Sequence, residues 1–143
     1  MKIITPLALV FSTLLFYFDA GAQPASLEVK VMNIKSDKGT IRVGLFVTEE
    51  DFLKKAVKGQ IVKASTGGIT VTFENLAPGE YAVSVIHDSN ENGELDTNMF
   101  GIPKEGFAFG NNAMGTFGPP QFNEAKVMIG DQTVRQEIKL RYL

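Results

Sequence analysis

The sequence predicts an all-β fold, an antiparallel β-sandwich of about seven strands, and three observations predict it. Apolar residues alternate with polar ones at period two in several short runs. Turn-forming residues separate those runs. The one stretch lacking periodicity, residues 88–121, carries phenylalanines and glycines and so reads as a long ordered loop rather than a linker.

The elements follow in order. Leu27, Val29 and Val31 alternate with Glu28, Lys30 and Met32. After Ser36-Asp37-Lys38-Gly39 the alternation resumes at Ile41, Val43, Leu45 and Val47, so the two runs are expected to form an antiparallel hairpin. Thr48 is the expected N-cap of one short crossover helix, with Glu49, Glu50 and Asp51 in a first turn where the helix dipole favours negative charge. Phe52, Leu53, Ala56 and Val57 would form its apolar stripe and Gly59 its end. A weaker strand is expected over 60–64 and a clean one at Ile69, Val71 and Phe73. Pro78-Gly79 turns the chain into a strong strand over 80–87, with Tyr81, Val83 and Val85 on one face. Runs over 124–129 and 133–142 are expected to close the fold as a hairpin around Gly130-Asp131.

The chain begins with Lys2, an apolar run over 3–18 and the small residues Ala20-Gly21-Ala22. This predicts a secretory signal peptide over 1–22, a single domain over 23–143, and a periplasmic or secreted location. Thr5, Pro6, Ser12 and Thr13 interrupt a run already short for a span, so no stable membrane span is expected after cleavage. No cysteine stands near the cleavage site for lipid attachment, and none elsewhere for a disulfide. A net charge of −2 gives no electrostatic footprint for nucleic acid.

Residues 88–98 read Asp-Ser-Asn-Glu-Asn-Gly-Glu-Leu-Asp-Thr-Asn. Against the twelve-residue EF-hand loop, Asp88, Asn90 and Asn92 occupy the first three oxygen-ligand positions, Gly93 the sharp turn, Glu94 the backbone-carbonyl position and Asp96 the ninth position. Met99 stands where a bidentate Glu is required, and a strand rather than a helix precedes Asp88. The expectation is an EF-like Ca²⁺ loop on a β scaffold, formed by Asp88, Asn90, Asn92, Glu94 and Asp96. Glu105 or Asn98 would supply the missing ligand, Glu105 being preferred because a carboxylate can bind through both oxygens. With few formal charges its affinity is expected on the order of 10⁻⁴ to 10⁻³ M. His87, the only histidine, cannot make a zinc site of the usual kind. It reads as a structural residue, with a general base beside Asp88 as the alternative. Phe100, Phe107, Phe109, Phe117 and Phe122 are expected to pack as a satellite core that holds the long loop down, with the lining of a binding surface as the alternative.

The run Leu76-Ala77-Pro78-Gly79-Glu80-Tyr81-Ala82-Val83, then His87-Asp88, Asn90, Asn92-Gly93, Leu95-Asp96, Gly101-Ile102-Pro103-Lys104-Glu105-Gly106 and Gly118-Pro119-Pro120-Gln121-Phe122, resembles the secreted bacterial domain of unknown function twenty-one forty-one. The resemblance covers nearly all of the chain after the signal peptide and implies an exported all-β protein without assigning an activity. The Pro-Gly-x-Tyr-x-Val entry is also similar to transthyretin-like and adhesin B-type domains, which implies a transthyretin- or Ig-like sandwich and nothing about function.

Two functions follow. One is a non-enzymatic binding or structural module, its loop organised by Ca²⁺ and presented to a protein or glycan of the cell envelope. The other is a hydrolase-type enzyme using a polar cluster of His87, Asp88 and Glu105. Geometry separates them: a closed shell of loop oxygens favours the module, whereas His87 and Glu105 facing an open apolar pocket favour the enzyme.

Overall fold

Strands account for most of the regular structure in the computed structural model, which describes residues 25–143. The expected signal peptide, residues 1–22, lies outside the described residues. The chain runs β1 (Ala25–Met32), β2 (Thr40–Phe46), β3 (Lys58–Lys63), β4 (Ile69–Leu76), β5 (Gly79–Asp88), β6 (Gly106–Phe109), a 3-10 turn (Gly110–Asn112), α1 (Phe122–Ala125), β7 (Lys126–Ile129) and β8 (Val134–Lys139). One sheet has the order β4-β1-β8, and the other β3-β2-β5-β6 with β7 also paired to β5. β2 runs along residues 82–88 of β5. On the opposite edge β7 takes residues 79–82 and β6 takes residues 84–87, so these two strands lie end to end. Among the described residues no helix is long and apolar enough to cross a membrane.

The expected alternation is what buries the core. Leu27, Val29 and Val31 of β1 meet Ile41, Val43 and Leu45 of β2 and Val83 and Val85 of β5 between the sheets, all at most 2 % exposed. Each such side chain contributes roughly 1.5–3 kcal/mol by leaving water.

Both expected hairpins are absent. β1 and β2 lie in different sheets, and residues 33–39 cross between them with Ile34 buried beneath the crossing. β7 and β8 are likewise split between the sheets. Period-two alternation specifies which face of a strand is buried. The two sheets bury their inner faces against one common core, so the pattern is the same whichever neighbour a strand takes. β1 also pairs in parallel with β8, an exception to the expected antiparallel arrangement. Its register sets Glu28 beside Arg135 and Lys30 beside Glu137, with ion pairs of 3.4 and 3.8 Å on the outer face.

The expected crossover helix is reduced to tight turns. Thr48 does cap, its hydroxyl accepting from the Asp51 N–H at 3.1 Å, and Lys54 and Lys55 both donate to the Asp51 carbonyl at 2.9 Å. Leu53 then adopts a left-handed φ of 60°, and β3 already begins at Lys58. The left-handed Leu53 ends the turn, and the residues from Lys58 on are hydrogen-bonded to β2 instead of continuing it. The α-helical turn lies instead at Phe122–Ala125, where Gln121 and Glu124 form a capping box.

Residues 88–121, expected to lack regular structure, contain β6. Its four residues Gly-Phe-Ala-Phe are all buried, so it shows no alternation to read. Ala108 faces the inter-sheet core. Phe107 and Phe109 join Phe46, Ala82, Phe122 and Ala125 in a second cluster, on the outer side of the five-stranded sheet. Phe52 caps that cluster edge-on, with ring centroids 5.4 Å from Phe46 and 6.0 Å from Phe122. Phe100 and Phe117, expected in the same satellite core, are not part of it: they are 79 % and 102 % exposed.

Candidate functional site

β5 delivers consecutive residues to opposite faces. His87 points toward the inter-sheet side and Asp88 lies on the row of Ser84 and Ile86. The imidazole is 2 % exposed and both its nitrogens are engaged. Nε2 lies 2.8 Å from the Lys38 carbonyl, which can only accept, so Nε2 carries the proton. Nδ1 then accepts from the Tyr142 hydroxyl at 2.8 Å, and that oxygen in turn accepts from the Lys35 N–H at 3.1 Å. The Tyr142 ring lies over Gly106, where a β-carbon would stand 2.5 Å from the ring. Burial pushes the Tyr142 phenol above its ordinary pKa of 10.0, against the opposing pull of the Lys35 N–H. Both ring nitrogens of His87 are thus held by groups of the fold.

Asp88 is fully buried at the start of the loop. One carboxylate oxygen accepts from the Asn92 N–H at 3.1 Å and the other from the Gly93 N–H at 2.9 Å. The Arg42 guanidinium, from the outward row of β2, stands 3.6 Å from the second oxygen. Curling the backbone back onto one carboxylate needs left-handed residues. Gly93 has a φ of 86° without steric cost, whereas Glu91 at 59° costs about 1–2 kcal/mol that the surrounding hydrogen bonds offset.

The remaining loop residues interlock. The Asn90 and Asn92 side-chain amides donate to the two oxygens of Asp96, at 2.6 and 3.0 Å. Their amide oxygens accept from backbone N–H groups two residues on, Asn92 at 3.2 Å and Glu94 at 3.0 Å. Glu105, 6 % exposed, ties the two ends together. One oxygen accepts from the Ser89 N–H at 2.8 Å and from its hydroxyl at 2.9 Å, and the other from the Asp96 N–H at 3.1 Å. Asn98 folds the tip, its side-chain oxygen accepting from Phe100 at 2.9 Å and Ile102 at 3.0 Å.

Asp88, Asn90, Asn92, Asp96 and Glu105, expected to converge, therefore belong to one hydrogen-bonded unit, and Glu94 enters it through its N–H. The oxygen donors present are those that suit a hard cation. Among the described residues no three His, Asp or Glu side chains gather closely enough to hold a metal by carboxylates and imidazole alone. Amide oxygens would have to contribute. In this arrangement the Asn90 and Asn92 NH₂ groups face Asp96, and a half-turn of each amide exchanges N for O at nearly constant shape. His87, Asp88 and Glu105 share no opening: the outer-face cleft that the loop borders is lined by none of them. Each also has its polar atoms committed to groups of the fold.

Sequence reading missed Arg42, Ser89 and Tyr142. The alternation of β2 marks Arg42 as outward-facing, the one signal available for it. The contact of Tyr142 with His87 joins residues 55 positions apart and has no local signature.

A profile described as "Uncharacterized protein conserved in bacteria (DUF2141)" matches residues 29–137. No curated protein and no solved structure matches the chain significantly.

Proposed function

The chain belongs to this bacterial family of uncharacterised proteins, and we propose that it is an exported, non-enzymatic binding or structural module whose EF-like loop takes up Ca²⁺ and holds a long surface excursion in shape. The observation that carries this reading is the interlocking of Asp88, Asn90, Asn92, Asp96 and Glu105 into one loop-closing unit. A catalytic cluster keeps a nucleophile or base free for substrate. Here the ionisable groups serve the backbone, which is what a presenting scaffold requires. The loop's tip would then be held against a partner, a protein or glycan of the cell envelope.

Calcium would enter between the Asn90 and Asn92 amides and Asp96, with Asp88 behind them and the Glu94 carbonyl and Glu105 as further oxygen donors. The half-turn of both amides gives up the two contacts to Asp96 and also the two that the amide oxygens accept from the Asn92 and Glu94 N–H groups, so the exchange offsets much of what the ion contributes and keeps affinity weak. At 10 mM Ca²⁺ and a Kd on the order of 10⁻³ M, linkage gives about 1.4 kcal/mol of added stability. For a domain of this size that raises Tm by roughly 5 °C. Thermal unfolding with 10 mM CaCl₂ against EDTA at matched ionic strength tests the claim. A Tm that does not move, or one that moves equally with MgCl₂ and in an Asp96→Asn variant, removes calcium from the reading.

A further inference from the structure

The outer face of the five-stranded sheet carries a cleft of about 1050 Å³. Its floor is the outward row of β2, β5 and β6: Phe46, Ser84, Ile86, Phe107 and Phe109. Ser84 pairs in register with Gly44 across β2, and neither fills the space above it; a β-carbon on Gly44 would stand 3.3 Å from the Ser84 hydroxyl. Leu53 and Lys54 form one wall, residues 93–103 of the EF-like loop a second, and residues 114–119 a third. A smaller recess of about 310 Å³ continues the floor past Ser84 and Ile86 toward Gly59 and Gln60.

The walls are chemically lopsided. Phe117 is 102 % exposed, Phe100 79 %, Ile102 45 %, and Leu53 and Met114 39 % each, and all five line the same cleft. Scattered exposed apolar residues are normal on a monomer, but a contiguous set around one concavity marks a binding surface. The side-chain hydrogen-bonding groups of the lining are few: Ser84 on the floor, with Thr97, Thr116, Lys54 and Glu94 on the walls. A glycan needs many convergent donors and acceptors, which this lining does not offer. A flexible aliphatic chain needs none along its length. The lining carries one cationic side chain, the exposed Lys54 beside Leu53, and one anionic, Glu94 on the loop wall, so an anionic head would be drawn to the Lys54 wall and away from the loop.

We propose that the cleft binds the aliphatic chain of a single-tailed anionic amphiphile, with the chain over Ser84 and Ile86, between Phe100 and Phe117, and its head at Lys54. The inference goes beyond the calcium reading and does not depend on it, because the loop wall is held by its own hydrogen bonds. The titrations are accordingly run in EDTA.

The test is calorimetric titration of the purified protein with octanoate, decanoate and dodecanoate below their micelle concentrations, and with 1-decanol as the uncharged comparison. Saturable binding of one chain per protein is expected, tightening by roughly fourfold per added methylene until the cleft is filled. Phe100→Ala and Phe117→Ala each remove an exposed ring that supports no core packing, so both variants fold. Each is expected to weaken decanoate and decanol alike by roughly tenfold. Lys54→Glu is expected to weaken decanoate by about the same factor and leave decanol unchanged. Absence of saturable binding, affinity independent of chain length, or decanoate binding that survives all three substitutions overturns the proposal.

Discussion

Glu105→Gln isolates the closure of the EF-like loop, because it changes one oxygen to nitrogen and keeps the side chain's volume. The wild-type carboxylate accepts three hydrogen bonds, two from Ser89 and one from the Asp96 N–H. Gln has a single acceptor oxygen. Turned toward Ser89 it keeps two bonds, but its NH₂ then confronts the Asp96 N–H, donor against donor. The loss is one hydrogen bond to a charged acceptor, roughly 1.5–3 kcal/mol, of which water recovers part because Asp96 is half-buried. The expected destabilisation is about 2 kcal/mol. At a urea m-value of about 2 kcal/mol/M this lowers the midpoint by roughly 1 M without changing m. Ser89→Ala deletes the hydroxyl bond alone and should cost about 1 kcal/mol. Glu105→Ala deletes all three and should cost more than the Gln variant. If the loop opens before the rest of the domain, the loss appears instead as faster hydrogen exchange at the Ser89 and Asp96 amides. A Gln variant with an unchanged midpoint and unchanged exchange at those two amides would refute the claim that Glu105 closes the loop.

Further predictions follow from the fold. Tyr142 has its folded pKa raised above the ordinary 10.0 by burial, so the neutral phenol stabilises the native state at all lower pH, and that contribution is lost as pH rises through the folded value. Urea midpoints from pH 8 to 11 should fall steeply for wild type and less so for Tyr142→Phe, which at neutral pH costs roughly 1 kcal/mol for its bond to His87. Gly106→Ala places a methyl group 2.5 Å from the Tyr142 ring and should destabilise by roughly 1–3 kcal/mol through overpacking, read by thermal unfolding. Asn112 accepts from Lys139 and donates to Glu137, at 2.8 and 2.9 Å, and so occupies the free edge of β8; Asn112→Ala should lose roughly 1–2 kcal/mol and expose an edge whose self-association light scattering would detect. Asp37 is held below the ordinary 3.8 first by the Thr66 N–H; its stabilisation is present at neutral pH and lost as pH falls below about 4, so Asp37→Asn should flatten the acid limb of the stability curve.

Some of this was legible in the residues alone. Alternation at Leu27-Val29-Val31, Ile41-Val43-Leu45 and Tyr81-Val83-Val85 named the buried faces, because a strand's side chains alternate whatever lies beside it. The spacing from Asp88 to Asp96 named the loop, because the residues that meet there are at most a few positions apart and their oxygens compete for nearby N–H groups. Thr48 announced a cap correctly, but how far a turn propagates depends on where the chain must go next, and β3 claimed those residues. Strand partners were beyond local reading: β1 rests between β4 and β8 rather than against β2, since hairpin and cross-sheet connections bury the same faces. So were the engagement of His87 by Tyr142, the plugging of the β8 edge by Asn112, and the cleft between Phe100 and Phe117. Each joins residues that are distant in the chain or belong to separate loops, and their meeting is decided when two sheets dock over one core. The sequence by itself determined which side chains leave water and which loop folds on its own carboxylates. The tertiary structure alone decided which strands are neighbours and which apolar rings stay exposed, because both depend on packing between segments that carry no local record of one another.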